Sequence, residues 1–221
     1  MTDAVVFDLD GILVDSEHTW RDAKRDLVEA TGGTWKEEAT VKMLGMSSTE
    51  WSEYVHDDLG VPLDPPEISR RVAERMVELY REDLPLLPGA VEAVRRLEGR
   101  WPLGLATSSN REVIETFVEL TGLADAFETT ISTEEVRAGK PSPAVYLEAA
   151  KRLGVDPAAS VAVEDSTNGI RAGLEAGMRV IAIPNEQFPP DPQVLARVPV
   201  VLHSLDELTS EVVDGSGQRG P

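Results

Sequence analysis

An α/β fold is what this sequence predicts: a doubly wound parallel sheet with an all-helical unit inserted after its first strand. Three observations carry that reading. Short apolar runs rich in β-formers recur along the chain, and they are continuous rather than alternating, as strands covered on both faces are. Amphipathic helical patterns separate them, which is the alternation of a parallel α/β layer. One long region, from about Ser16 to Asp83, breaks the alternation and carries helical periodicity only.

Taken in order, the first strand is Ala4 to Phe7 and ends at Asp8. In the insert, Trp20, Leu27 and Val28 suggest one helix face, and Val72, Met76, Leu79 and Tyr80 another. The stretch RRVAERMVELYRED reads as a solvated amphipathic helix. The chain returns to the layer near Leu87-Pro88-Gly89. Val91, Val94 and Leu97 then mark a helix, Leu103 to Ala106 a strand ending at Thr107, and Ile114, Phe117 and Val118 a helix. Thr129 to Ser132 is a weaker strand candidate, and Val145, Ala149 and Leu153 mark a further helix. Val161 to Val163 is a strand ending at Glu164, Val180 to Ile183 another, and Val198 to Leu202 an edge-strand candidate. Gly169, Gly173 and Gly177 recur every four residues and predict a smooth helix stripe against the sheet, since glycine costs about 1 kcal/mol against alanine in a helix interior. The expected boundaries are 1–15 with 84–214 for a discontinuous core, 16–83 for the helical insert, and 215–221 for a disordered tail.

Composition narrows the function. Lys and Arg number 21 against 40 Asp and Glu in 221 residues, a formal net charge of −19. Bulk electrostatics therefore oppose holding nucleic acid or an anionic membrane, although a local cationic site can still take a small anion. There is no cysteine, which excludes disulfides, thiolate metal sites and cysteine nucleophiles. The start, MTDAVVFDLDG, has no secretory pattern, and no run approaches the roughly 18 apolar residues of a membrane span, so a cytoplasmic protein is expected. No Walker-type or dinucleotide glycine loop occurs.

In open parallel sheets, ligands bind beyond the carboxyl ends of the strands. Asp8 and Asp10 stand two apart at one such end, where two carboxylates converge and call for a hard cation such as Mg²⁺. Glu164 and Asp165 end another strand and offer further oxygens. Each pair has a plainer reading, a strand terminus for Asp8 and Asp10 and a helix cap for Glu164 or Asp165. Lys140 is a compact charge suited to phosphate, and Thr107 and Ser108 offer a hydroxyl and backbone N–H groups at a helix start. Here too there are plainer readings: an N-cap for Thr107-Ser108-Ser109 and a surface turn for Gly139-Lys140-Pro141. Acids, a lysine and hydroxyls together suggest a metal-assisted site for a phosphoryl group.

Phe7-Asp8-Leu9-Asp10-Gly11-Ile12-Leu13-Val14-Asp15-Ser16 resembles the first motif of the haloacid dehalogenase superfamily. Leu105-Ala106-Thr107-Ser108-Ser109 resembles its second motif, Gly139-Lys140-Pro141 with Pro143 its third, and Val163-Glu164-Asp165-Ser166 with Gly169 its fourth. All four stand in the family's order. The resemblance implies a core with a small helical cap, as in the β-phosphoglucomutase-like and phosphoglycolate-phosphatase-like branch. It implies Asp8 as nucleophile through an aspartyl-phosphate, Asp10 as general acid and base, and Mg²⁺ bound by Asp8, the Asp10 carbonyl and Asp165, with Glu164 acting through water. Thr107, the Ser108 amide and Lys140 would hold the phosphoryl group. The cap would flex near Val14 to Glu17 and Asp83 to Leu87.

The implied activity is hydrolysis of a small phosphate monoester, a sugar phosphate or similar, by a monomeric enzyme. The alternative is a phosphosugar mutase. Two cap positions speak against it: Trp20 stands where those mutases carry a histidine, and Ser48, in Met43-Leu44-Gly45-Met46-Ser47-Ser48, where they carry an arginine. His18, Trp20, Gly45 and Ser48 are therefore the candidate specificity residues, with His18, Lys42 or Arg111 as the cations that would substitute for the two missing mutase residues. A 2-haloacid dehalogenase would share the nucleophile but has no need of Asp10, Glu164 and Asp165.

Overall fold

The structure, a computed structural model, describes residues 1–43, 46–136 and 138–216. Six strands form its centre: β1 (Ala4–Phe7), β2 (Leu103–Thr107), β3 (Thr129–Ser132), β4 (Ser160–Glu164), β5 (Arg179–Ala182) and β6 (Val200–Val201). Their spatial order is β3-β2-β1-β4-β5-β6, and every pairing is parallel. The chain winds outward from β1 through β2 to β3, then returns to lay β4 on the other side of β1. The strand order thus reverses between β1 and β4, and a crevice opens there at the carboxyl ends.

Strand residues alternate between two apolar layers, as a period of two requires. Val5 and Phe7 face one, with Val94 and Phe117, while Val6 and Ala162 face the other, with Tyr146 and Ile170. The helices are α1 (Glu17–Ala30), α2 (Ala39–Met43), α3 (Ser48–Asp57), α4 (Pro65–Glu82), α5 (Ala90–Leu97), α6 (Arg111–Thr121), α7 (Thr133–Val136), α8 (Ala144–Leu153), α9 (Thr167–Glu175), α10 (Pro192–Leu195) and α11 (Ser210–Asp214). Helices α1 to α4 make up the insert, and no strand interrupts them among the described residues. Ser47 and Glu50 close a reciprocal capping box on α3. Asp64 caps α4, whose first positions are Pro65 and Pro66.

The segments entering and leaving the insert run side by side. Val14 pairs with Leu86, the Asp15 N–H donates to the Pro85 carbonyl at 2.8 Å, and the Leu87 N–H to the Leu13 carbonyl at 3.0 Å. The two stretches expected to flex therefore form one hydrogen-bonded ribbon.

Three sequence expectations need correction. The last strand shrinks to Val200–Val201, because Pro199 has no N–H to give to the ladder. The glycine stripe is not one device. Gly173 does pack on the sheet, against Val180 and Ala162, but Gly169 makes room for the Glu164 carboxyl group. Gly177 lies past the end of α9 with φ of +81° and nothing near it. Of the expected tail, Gly215 is the left-handed C-cap of α11, and 217–221 fall outside the described residues. Among the described residues, no helix is long and apolar enough to cross a membrane.

Candidate active site

The crevice between β1 and β4 gathers the acids. Asp8 follows β1, anchored by its N–H on the Val163 carbonyl at 3.0 Å. It is buried rather than facing solvent as a strand end would suggest, at 6% exposed. Glu164 ends β4 and Asp165 follows it. Asp8, Glu164 and Asp165 can each bring one carboxylate oxygen within 4.8 Å of the others. Gly11, at φ +81°, lies so close to the Asp165 carboxylate that a Cβ would overlap it.

Lys140 enters this cluster from the segment before α8. Its Nζ donates to Asp8 Oδ1 at 2.6 Å, Glu164 Oε1 at 2.6 Å and the Ala106 carbonyl at 3.0 Å. Tyr146 gives its hydroxyl proton to the same Glu164 oxygen at 2.6 Å. The other Glu164 oxygen accepts from the Asp165 N–H, the Ser166 N–H and the Ser166 hydroxyl. Lys140 is therefore no surface turn, and the cap of α9 is Ser166 rather than either acid.

Charge in the cluster does not balance. Fully ionised, three carboxylates against one ammonium would leave −3 + 1 = −2. Burial pushes Asp8 up to about 8, with Lys140 pulling it down and Glu164 and Asp10 adding to the rise. Burial, then Glu164 and Asp8, raises Asp165 well above the carboxylate range. Burial would lower the Lys140 ammonium, but Asp8 and Glu164 overcome it and raise the group above an ordinary lysine. The Asp165 Oδ1 atom is buried without a hydrogen-bond partner. Hard oxygens, two carboxyl groups whose ionisation burial and crowding oppose, and an orphaned oxygen fit a divalent cation.

Asp10 turns its side chain away from that trio. Oδ1 accepts from the Ser16 hydroxyl at 2.5 Å and Trp20 Nε1 at 2.9 Å, and Oδ2 from the Thr107 hydroxyl at 3.2 Å and the Ser109 hydroxyl at 2.5 Å. One donor ends β2 and one lies in the loop after it, and two come from the entry into the insert, so this carboxylate joins core to insert. Thr107 also accepts the Ser109 N–H at 3.0 Å. The cap of α6 is Asn110, which sets aside the plain N-cap reading of Thr107-Ser108-Ser109.

A cavity spans the two parts. Asp8, Asp10, Thr107, Ser108, Lys140 and Asp165 line its floor, and Glu17, Trp20, Arg21, Lys24, Thr40, Met43, Met46 and Trp51 its roof. Of the four candidate specificity residues, Trp20 is in it. His18 is exposed and meets Arg21 at 3.1 Å. Ser48 is buried elsewhere, donating to Glu134 at 3.2 Å, and Gly45 lies outside the described residues. Lys42 sits over the Tyr54 ring at 5.6 Å, and Arg111 bonds Thr130 and Glu135, so neither cation reaches the cavity. Sequence reasoning missed Tyr146, Lys24 and the bond from the Ser109 side chain to Asp10. Spacing held a clue to Lys24: Glu17, Trp20, Arg21 and Lys24, at i, i+3, i+4 and i+7, share one face of α1.

Comparison with known proteins agrees with this geometry. A family model described as a hydrolase, haloacid dehalogenase-like hydrolase, matches residues 2–177. Hexitol phosphatase B of Escherichia coli K12 is 36% identical over 226 residues, covering 94% of this chain and 95% of that protein. Fructose-1-phosphate phosphatase YqaB of E. coli K12 is 28% identical over 179 residues, covering 81% and 95%. The crystal structure of CbbY from Rhodobacter sphaeroides in complex with phosphate matches with a TM-score of 0.88 at 29% identity, over 97% of this chain and 100% of that one.

Proposed function

The chain belongs to the haloacid dehalogenase-like hydrolases and is a phosphoric monoester hydrolase, and from that premise we propose that it is a Mg²⁺-dependent phosphatase of small sugar or polyol phosphates acting through an aspartyl-phosphate on Asp8. The observation that carries this is the pairing of Asp8 with Lys140 at 2.6 Å inside a buried acidic cluster, two residues from Asp10 and its own set of donors. The names of relatives that act on hexitol phosphates and fructose 1-phosphate support the substrate class.

Asp8, Asp165 and Glu164 would hold the ion, with the Asp10 carbonyl as the family resemblance implies. Mg²⁺ bound there supplies charge neutralisation, both of the buried carboxylates and of the phosphoryl oxygens. The ionised Asp8 oxygen attacks phosphorus; the Asp8 O–P bond forms as the ester P–O bond breaks. Asp10 gives its proton to the leaving alkoxide, then takes one from the water that attacks the acyl phosphate, which restores Asp8 and releases inorganic phosphate. Lys140, the Thr107 hydroxyl and the Ser108 N–H hold the non-bridging oxygens. Positioning and charge supply most of the rate in such transfers. Trp20 is a donor only, and its bond to Oδ1 orients the Asp10 carboxyl group between cap and core. The insert serves as the cap that excludes bulk water.

Hydrolysis of p-nitrophenyl phosphate tests this reading. Activity should vanish in EDTA, return with Mg²⁺, and be lost in Asp8→Ala while circular dichroism stays native. Metal-independent turnover, or substantial activity in Asp8→Ala, would overturn it, and release of halide from chloroacetate would favour a dehalogenase.

A further inference from the structure

Lys24 takes no part in the chemistry proposed above, yet its setting is unusual. Only 8% exposed, it lines the cavity roof. Its Nζ lies 5.3 Å from the centroid of the Trp20 ring and 4.8 Å from that of Trp51. Among the described residues no carboxylate reaches ion-pair distance of it. Glu17 and Asp10 act on it from further away, and burial, the larger effect, brings it down to about 8.

A buried ammonium with unmet donors is costly. The two indole faces attract its charge, but they leave its N–H groups without directed acceptors, and an ammonium has three. Those donors open onto the cavity, which the mechanism fills with substrate.

Reach defines what they would meet. Trp20 bonds Asp10, so it marks the depth of the ester oxygen. Lys24 Nζ itself lies 5.3 Å from the centroid of the Trp20 ring. An extended chain covers about 1.2 Å per bond, which puts Nζ roughly five bonds from the ester oxygen. A two- or three-carbon substrate ends short of that. Charge defines the rest. Glu17 offsets the charge of Lys24 even when Asp10 carries its proton, and Arg21 is occupied with Asp22 at 2.8 Å, so no positive charge is left over for a second anion. Those surroundings oppose a second anion and suit a hydroxyl, whose oxygen accepts from Lys24.

We infer that Lys24, clamped between Trp20 and Trp51, is a specificity-determining residue that donates to uncharged hydroxyl oxygens about five bonds from the ester oxygen, so that the site selects phosphates of five- and six-carbon polyols or open-chain sugars over those of two or three carbons. The inference rests on the phosphatase reading for the position of the phosphoryl end.

The test is a panel of hexitol 6-phosphate, pentitol 5-phosphate, glycerol 3-phosphate, 2-phosphoglycolate and a hexose bisphosphate, with Mg²⁺, on the wild type, Lys24→Met and Lys24→Arg. In the wild type, kcat/KM should step up between three and five carbons. Lys24→Met should shrink that step about tenfold or more, the worth of one hydrogen bond to a charged group, with KM carrying the change, and Lys24→Arg should restore most of it. Equal losses on glycerol 3-phosphate and hexitol 6-phosphate would reduce Lys24 to a staple between α1 and α3. A preference for the bisphosphate would overturn the assignment to hydroxyls. Should the wild type hydrolyse none of the panel, the phosphatase reading fails, and quenching of indole emission by the same compounds then decides Lys24. A chain-length step in Kd that Lys24→Met abolishes sustains the inference, and equal Kd values refute it.

Discussion

Replacing a helical glycine by alanine ordinarily stabilises by about 1 kcal/mol, but at Gly169 the sign should reverse. A Cβ on Gly169 would overlap both oxygens and Cδ of Glu164. A carboxyl group at the end of a flexible chain normally swings aside. This one is fully buried and pinned by Lys140, Tyr146, the Asp165 N–H, and the Ser166 N–H and hydroxyl. Separating one partner from a buried ion pair costs about 3–5 kcal/mol. Against the helix gain, Gly169→Ala should lose about 2–4 kcal/mol. At about 2–4 °C per kcal/mol for a chain of this size, the melting temperature should fall by about 4–16 °C. Calorimetry in EDTA measures it. Gly173→Ala is the comparator, because its Cβ would meet only methyl groups, Val180 Cγ2 at 2.9 Å and Ala162 Cβ at 3.2 Å. In a Glu164→Ala background the clash disappears, and Gly169→Ala should be neutral or stabilising, a coupling that a double-mutant cycle isolates. A melting temperature at or above that of the wild type would refute the claim that Glu164 is pinned.

Three further outcomes follow from the same geometry. Trp20→Phe keeps an aromatic ring facing Trp51 but removes the donor to Asp10, so kcat should fall about tenfold, the worth of a bond to a charged group; steady-state kinetics within twofold of wild type would show that the contact does not act in turnover. Asp165→Asn removes one of three crowded carboxylates, so the metal-free protein should melt higher while the stabilisation gained on adding Mg²⁺ shrinks, and an unchanged Mg²⁺ increment in calorimetry would remove Asp165 from the ion's ligands. Burial depresses Lys24 from 10.5 to about 8, so in that window the unfolded chain holds the proton more tightly. Stability relative to Lys24→Met should therefore rise between pH 8 and pH 10.5 by up to about 3 kcal/mol, read by urea denaturation across that range, where a flat difference would contradict the buried, unpaired setting.

The layer architecture was legible because β1, β2 and β4 are short, apolar and followed by polar residues, and the switch point between β1 and β4 then places Asp8 beside Glu164 without further information. The helical insert was legible from periodicity, since Val72, Met76 and Tyr80 are buried on one face of α4. What escaped was side-chain direction across elements. Ser48 and Trp20 were chosen by position along the chain; Trp20 turns toward Asp10, whereas Ser48 turns toward Glu134, and nothing local distinguishes them. Tyr146 lies at helical spacing with apolar neighbours and reads as core, which it is, except that its hydroxyl ends on Glu164. The glycine repeat misled for a similar reason: equal spacing does not imply equal neighbours, and only packing shows that Gly169 faces a carboxylate while Gly177 faces nothing.

How a chain of charge −19 accepts an anionic ester has its answer in distance and burial. Most of its acids lie at the surface, many in pairs such as Glu67 with Arg70 and Arg71 or Glu119 with Arg81. Beyond about 8 Å such exposed charges are largely screened at physiological salt. The buried cluster is screened far less, and with its carboxylates ionised its formal sum of −2 would repel phosphate. Lys140 cannot reverse that, being already bound to both Asp8 and Glu164. A divalent cation held there would bring the ionised cluster to neutrality and free Lys140 to count toward the phosphoryl oxygens. On this reasoning metal and substrate must bind with positive coupling: inorganic phosphate should tighten the apparent affinity for Mg²⁺, and Mg²⁺ that for phosphate by the same factor. Titration calorimetry of each in the presence and absence of the other measures both factors, and independent binding would mean that the anion is held by groups other than these.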